Sequence, residues 1–256
     1  MKRTSYLKRI HKKRRQRILE TLHHLRLYMQ KFPEVRSEEV KVYLRRRIGE
    51  MQVCGTKMPS KKRNFCRSVC FCDLCIHVKK KGYVKQIDKF LQKEKTPLYM
   101  FVRKERFVDK ILSPQDIDKR LKYLEKQRTK INRSMISGMA KVDGVIHRIE
   151  VLPLKNRVVT CLTTLFVTRK PKVVSDSYFW KGFYTYDDHP DHKANRKKLG
   201  IVVSNKKEAL KAIHKVFKSR VGIYTKADYD MLLDLIVLMK RRHIWTSGGK
   251  MFKQEK

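Results

Sequence analysis

Soft metal ligands are concentrated in one short segment of this chain. Four cysteines and a histidine fall within twelve residues: Cys66, Cys70, Cys72, Cys75 and His77. Zinc prefers thiolate and imidazole ligands, and a structural zinc ion takes four of them at the corners of a tetrahedron. In Cys72-x-x-Cys75 one turn can present two thiolates, and Cys66 with Cys70 can supply the other pair. The segment therefore predicts a metal site, with Zn²⁺ as the expected ion.

Alternatives remain open at this predicted site. His77 or the more distant Cys54 could replace one of the four cysteines as a ligand. Ordinary fingers and ribbons join two separated Cys-x-x-Cys pairs, and the second pair is missing here. A chance cluster of buried, reduced thiols is therefore the competing interpretation. Four thiolates would also suit an iron–sulfur cluster, which we place behind zinc.

A second group of metal-binding residue types occupies residues 187–192, with the sequence Asp-Asp-His-Pro-Asp-His. Carboxylates and imidazoles that converge on a divalent ion are typical of hydrolytic enzymes. A nuclease would draw on the following residues: Asp187, Asp188, His189, Asp191, Glu150 and His147. Pro and Asp are also common turn residues, and we favour a polar turn at this point of the chain.

The charge of the chain points to a polyanionic partner. Its 64 Lys and Arg against 24 Asp and Glu give a formal net charge of +40 over 256 residues. So many like charges destabilise a compact state, whereas phosphate backbones release counterions when Lys and Arg replace them. An anionic membrane surface and a merely soluble basic protein are the alternatives. We expect DNA or RNA as the partner and no membrane association.

Clusters of basic residues and one tryptophan are the candidate nucleic-acid contacts. Residues 1–17 contain nine Lys or Arg and no acid, which also fits a nuclear import signal. The candidates are Lys8, Arg9, Lys12, Lys13, Arg14, Arg15, Arg17, Arg45, Arg46, Arg47, Lys61, Lys62, Arg63 and Trp180. Trp180 lies in the aromatic run 178–186, which predicts either a stacking platform for unpaired bases or a strand buried on both faces.

The pattern of apolar residues predicts an α+β fold with a helical basic N-terminal region, an antiparallel β-meander in the middle and two C-terminal helices. Ser37, Ser113 and Asn205 are expected helix caps, and Thr225 with Asp228 a further capping box. Asp143-Gly144 predicts a two-residue hairpin turn between residues 135–142 and 145–152, with further strands at 157–169, 178–186 and 200–203. A short helix is predicted at 84–91.

Together these features predict three regions: a basic helical nucleic-acid-binding region at 1–65, a cysteine-rich metal knot at 66–82 and an α+β core at 83–256. The expected function is non-enzymatic, zinc-stabilised binding of DNA or RNA in a regulatory, packaging, replication or transcription role, including in viruses. The C-terminal helices are a candidate protein-binding surface. A metal-dependent nuclease or recombinase-type enzyme and a structural ribonucleoprotein component are the rivals. Without a signal peptide or membrane span, the expected location is intracellular, and nuclear in a eukaryotic host.

The two interpretations of Trp180 predict different effects of Trp180→Ala. A stacking role predicts quenched fluorescence on binding single strands and a loss of about 1–3 kcal/mol of binding. A core role predicts a loss of about 3–5 kcal/mol of stability instead. Urea unfolding and a fluorescence titration with an unstructured oligonucleotide measure the two quantities. A well-folded variant that binds like the wild type contradicts the stacking role.

Overall fold

The chain folds as an α+β protein, which confirms the predicted fold class. The computed structural model describes residues 16, 19–31, 36–54, 66, 72–110, 113–137, 142–154, 157–170, 201–217, 229–240 and 242–252. Its helices in this part of the chain are residues 19–31 (α1), Glu38–Gln52 (α2), Asp73–Glu94 (α3), Pro114–Asn132 (α4), Lys206–Val216 (α5) and Tyr229–Leu238 (α6). Its strands are Leu98–Lys110 (β1), Gly144–Leu154 (β2), Arg157–Thr168 (β3), Ile201–Val203 (β4) and Trp245–Gly248 (β5).

The described strands form one antiparallel sheet in the order β4-β1-β3-β2-β5. β2 and β3 are a hairpin whose last pair is Leu154 with Arg157, while β1 pairs with β3 from the other side. Residues 158–168 of the central β3 are all buried. This strand is rich in Val and Thr, whose β-branched side chains favour an extended, packed backbone.

Helices cover both faces of the sheet. On one face α4 approaches His147 of β2, whose Nε2 lies 2.8 Å from the Asn132 side-chain oxygen. On the opposite face α3 and α5 pack near Trp245 of β5, whose ring centroid lies 5.8 Å from that of Tyr83 and 4.9 Å from that of Phe217. β3 is therefore enclosed between two helical layers.

The N-terminal helices join the α4 side of the molecule through α6. Leu22 and Leu25 of α1 are buried. Arg36, just before α2, donates to Asp230 and Asp234 of α6 at 2.9 Å each. One cluster of buried apolar side chains extends from Leu22 to Phe252, so α1 and α2 share a core with the sheet. α3 also runs without a break across residue 82, where the sequence suggested a boundary.

Helix capping follows the sequence at two of three positions. The Ser113 hydroxyl accepts from the Asp116 N–H at 3.2 Å, and the Asn205 side chain accepts from the Glu208 N–H at 3.1 Å. Ser37 stands at the N-cap of α2 but makes no side-chain capping bond. The predicted Thr225 and Asp228 cap lies outside the described residues, which resume at Tyr229 in α6.

The predicted hairpin turn at Asp143-Gly144 is wrong. Gly144 begins β2, and the preceding residues Arg133–Ser137 form a π-helical turn after α4 rather than a strand. A Cβ at Gly144 would lie 2.6 Å from the Phe252 ring, so glycine at this position allows the ring to approach the β2 backbone closely. The Met251 N–H donates to the Asp143 carbonyl at 3.0 Å. Asp143 and Gly144 therefore contact the C-terminal 3₁₀ turn, Lys250–Phe252, and do not form a hairpin turn.

Other sequence expectations have mixed outcomes. The short helix expected at 84–91 is part of the much longer α3, and β1 was not anticipated. The strand expected at 200–203 is present as β4. The aromatic strand at 178–186 lies outside the described residues. None of the described helices combines the length and apolar character needed to cross a bilayer.

We expect Asp143→Asn to destabilise the fold by about 1–3 kcal/mol near neutral pH. The buried Asp143 carboxylate accepts from the Arg169 N–H at 2.8 Å and from Lys250 at 3.0 Å. Burial alone would raise the pKa of Asp143, but these bonds lower it overall. A lowered pKa gives stability that is present above the ordinary carboxyl pKa near 4 and is lost as pH falls. The difference in unfolding free energy between wild type and variant should therefore narrow from about pH 5 downward.

Urea denaturation across this pH range measures the difference. Asp88→Asn is the control, because Asp88 pairs with a largely exposed Lys206 and its loss should cost less than about 1 kcal/mol. An Asp143→Asn protein as stable as the wild type at pH 7 would contradict the proposed role of this carboxylate.

Candidate metal centre

Four buried cysteines converge on one point in the structure. They are Cys54, Cys66, Cys72 and Cys75, and their sulfur atoms all lie within 4.8 Å of one another. The Sγ atom of Cys75 lies 3.6 Å from those of Cys54 and Cys66, and the Cys54 and Cys72 sulfurs are 3.5 Å apart. Each residue is at most 5 % exposed.

The separation of these sulfurs fits a metal ion. A disulfide needs its sulfurs about 2.05 Å apart, and these four cysteines form no disulfide. In a tetrahedral zinc–thiolate site with bonds of about 2.3 Å, the edge between two sulfurs is about 3.8 Å. The observed 3.5–3.6 Å is close to that edge. The four cysteines can therefore hold a metal ion, and with four protein ligands such a site has no open position for substrate.

Helix ends place three of the four thiols. Cys54 follows the C-terminal end of α2, where its N–H donates to the Met51 carbonyl at 3.3 Å. Cys72 is the N-cap of α3 and Cys75 lies in its first turn. The first turn of a helix favours negative charge, so this position suits thiolates.

Cys66 is held by an arginine of α2. The Arg47 guanidinium donates to the Cys66 carbonyl at 3.2 Å and forms a very short ion pair with Glu50. Arg47 is the most buried of the three arginines at positions 45–47, with a side chain 25 % exposed. It therefore links α2 to Cys66 of the cysteine group.

The thiols influence one another's protonation. Hydrogen bonds from Cys66, Cys72 and Cys75 hold the pKa of Cys54 below its usual value. The hydrogen bond to Cys54 and burial raise the pKa of Cys72 and of Cys75. Without a metal ion the cluster thus retains protons on at least these two thiols, which a metal ion must displace.

The structure brings together three of the five predicted ligands. Cys66, Cys72 and Cys75 meet, and Cys54, which the sequence offered only as a substitute, is the fourth member of the group. Cys70 lies outside the described residues. The His77 ring contacts the His214 ring, with centroids 5.7 Å apart, and His77 is not part of the sulfur group. The sequence signal for Cys54 was its position directly after the α2 pattern, which puts it at a helix end.

Few of the predicted nucleic-acid contacts fall in the described part of the chain. Arg45 and Arg46 are exposed on α2, at 63 % and 78 % of their side chains, near Glu38 and Glu50 respectively. Arg47 faces the metal centre. Outside the described residues lie Lys8, Arg9, Lys12, Lys13, Arg14, Arg15, Arg17, Lys61, Lys62, Arg63 and Trp180.

The described residues of the rival nuclease site do not converge. His147 and Glu150 are three residues apart on β2, so they face opposite sides of the sheet. His147 is fully buried, and its ring nitrogens lie within 2.9 Å of Thr164 Oγ1 and Asn132 Oδ1. Burial lowers the pKa of His147 to about 3, with Arg128 and Arg103 contributing, so the ring is neutral. Asp187, Asp188, His189 and Asp191 lie outside the described residues.

Comparison with known proteins gives no similarity from which to argue: no protein-family model, no curated protein and no solved structure matches this chain. The geometry of the described residues therefore has to support any functional conclusion.

We expect the protein to bind one metal ion per chain through Cys54, Cys66, Cys72 and Cys75. Cys54→Ser should lose the ion, because it removes one of four ligands that already complete a tetrahedron. Cys70→Ser should retain the ion. Cys161→Ser is the control, since Cys161 lies on β3 and its sulfur contacts Thr163 instead.

Native mass spectrometry and elemental analysis of the purified proteins measure the metal content. A Cys70→Ser protein without metal, together with a Cys54→Ser protein that keeps it, would favour the set first predicted from the sequence. A metal-free wild type with freely reactive thiols would exclude both sets.

Proposed function

We propose that this protein is a non-enzymatic nucleic-acid-binding protein whose fold is stabilised by zinc. The observation that carries the proposal is the four-cysteine cluster, which fastens the end of α2 to the start of α3 in a chain of net charge +40. Both helices carry exposed basic side chains, including Arg45 and Arg46 on α2. A metal at this junction would fix basic surfaces relative to the core.

Zinc is the proposed ion for chemical reasons. Four thiolates in a closed tetrahedron are typical of structural zinc, which has no redox role and needs no open coordination position. A multi-iron cluster would place iron and sulfide atoms between the thiolates, so it needs them farther apart than 3.6 Å. Reduced thiols that hold zinc fit an intracellular protein, nuclear in a eukaryotic host.

Phosphates, rather than base edges, are the proposed main contact. The first 17 residues carry nine Lys or Arg and no acid, which gives strong attraction to any phosphate backbone. Binding of this kind has weak sequence preference and suits packaging, replication, transcription or regulatory roles, including viral ones. A protein partner could use the C-terminal helices, although the Asp230 and Asp234 side chains of α6 already bind Arg36.

We expect the affinity for nucleic acid to fall steeply with salt. Each phosphate contact adds about 0.9 to the slope of log K against log salt on duplex DNA, and about 0.7 on a single strand. Six contacts would give a slope of about −4 to −5. Replacing Lys12, Lys13, Arg14, Arg15 and Arg17 by Gln should flatten the slope and weaken binding to all sequences alike.

Salt titrations on two unrelated sequences, each single- and double-stranded, measure this effect. Metal content and circular dichroism of the five-fold variant should match the wild type, because these positions precede Leu22 and Leu25, the buried leucines of α1. An unchanged slope would show that the N-terminal segment is not the phosphate contact. Cleavage of a plasmid with Mg²⁺ or Mn²⁺ would favour the nuclease, and sedimentation with ribosomes the structural ribonucleoprotein component.

A further inference from the structure

A row of lysines follows the exposed side of α3. Lys81, Lys85, Lys89 and Lys93 are spaced four residues apart, and all four are exposed. Successive members lie about 6 Å apart along the helix axis. Like charges at this spacing repel one another and destabilise a helix. The row therefore lowers the stability of α3, which indicates that these lysines have a role other than stabilising the helix.

A second row occupies α5 at the same spacing. Lys207, Lys211 and Lys215 are exposed, while Ala209, Ala212, Ile213 and Val216 form the buried side of this helix. Lys215 also lines a cleft of about 340 Å³ together with Lys104 and Arg106 of β1. Glu150 of β2 lines the same cleft, and its carboxylate is 2.9 Å from the Arg148 guanidinium. The positive surface of α5 therefore continues onto the edge of the sheet.

The two rows belong to one surface because α3 and α5 are antiparallel neighbours. His77, near the start of α3, contacts His214, near the end of α5. Asp88, farther along α3, binds Lys206 at the start of α5 at 3.2 Å. Both helices bury their opposite sides against the sheet. We call the two rows together the α3–α5 lysine face.

Acidic side chains leave this face positive. Asp88 is paired with Lys206, and the Glu94 carboxylate binds Arg169. Glu208 accepts from the Ser204 N–H at 2.8 Å, one helical turn before Lys211. Within the described part of the chain, no ion pair includes any lysine of the two rows.

The lysines of α4, on the opposite side of the sheet, provide the contrast. This helix has four exposed lysines, Lys119, Lys122, Lys126 and Lys130. Lys119 is 3.7 Å from Asp116, and Lys122 is 2.7 Å from Asp118. A mixed face of this kind is what a solvated helix normally presents. On the α3–α5 lysine face, Asp88 pairs with Lys206 and Glu208 lies near Lys211, but the seven exposed lysines of the two rows outnumber these acids.

We infer that the α3–α5 lysine face binds the phosphate backbone of a double-stranded nucleic acid. Two rows on neighbouring helices can contact phosphates of both strands, whereas one row would serve a single strand. None of the exposed side chains of α3 and α5 is aromatic, so the face offers no stacking platform for unpaired bases. The inference rests on the proposed function and adds to it a binding surface within the folded core, separate from the N-terminal segment.

The test compares two variants that each lose four positive charges. Lys85, Lys89, Lys207 and Lys211 are replaced by Gln in the face variant, and Lys119, Lys122, Lys126 and Lys130 in the control variant. The probe is a duplex DNA of about two helical turns, titrated at several salt concentrations. An unstructured single strand and vesicles containing anionic lipid serve as comparison probes.

The face variant should bind the duplex roughly tenfold more weakly or worse near physiological salt, with the slope reduced by about 0.9 for each lost contact. The control variant should lose much less of its affinity for the duplex. The melting temperature of the face variant should not fall, because the substitutions remove repulsion between like charges. In the face variant, binding of the unstructured single strand should weaken less than binding of the duplex.

The outcomes separate the inference from the proposed function. If the wild type binds no nucleic acid, the proposed function fails and the inference with it. If the wild type binds duplex and the face variant binds with the same affinity and slope, the inference fails while the proposed function stands. If both variants lost the same affinity for the duplex, the loss would follow from net charge alone, and the inference would be overturned. Loss of vesicle binding alone would assign the face to a membrane surface and would also overturn it.

Discussion

Four thiol groups within 4.8 Å of one another, nearly excluded from water, set the main constraint on this fold. Four thiolates without a cation would repel one another, and four thiols make only weak hydrogen bonds. A metal ion held by the four cysteines would turn this cost into a link that contributes directly to the free energy of folding. Such a link would join the end of α2 to the first turn of α3 on the other face of the sheet. Arg36, just before α2, binds α6.

This link would connect the two helical layers around the sheet. β3 lies at the centre with residues 158–168 buried, and its burial depends on α4 on one face and on α3 and α5 on the other. Further polar contacts fix the same elements. Arg169, just after β3, binds both Asp143 before β2 and Glu94 at the end of α3. Arg242 binds Asp118 and Glu125 of α4. Because these pairs are partly buried, removing one partner would leave a charge without compensation and would destabilise the fold more than the loss of a surface pair.

Charge is distributed unevenly over this framework. Seven of the described acids form ion pairs between elements, such as Glu94 with Arg169 and Asp230 with Arg36. The excess of positive charge is consequently left on exposed helix surfaces, where it costs least in desolvation and can reach a polyanion. A surface that exposes lysine fits the proposed binding of phosphates.

The sequence by itself determined the fold class, two helix caps and a group of cysteines that could hold a metal ion. These features are local: a cap needs only residues three apart, and Cys72-x-x-Cys75 needs only one helical turn. Tertiary structure decided the rest. Cys54 becomes a member of the centre because the packing of α2 brings its end to α3, across eleven intervening residues before Cys66. A side chain at Gly144 would collide with the Phe252 ring of the C-terminal turn. This contact is distant in sequence, so the local Asp-Gly pattern could not predict it. His147 and Glu150 lie on opposite faces of the sheet because side chains alternate along the pleated strand β2. The α3–α5 lysine face exists because two helices far apart in sequence lie side by side, which no spacing within either helix reveals.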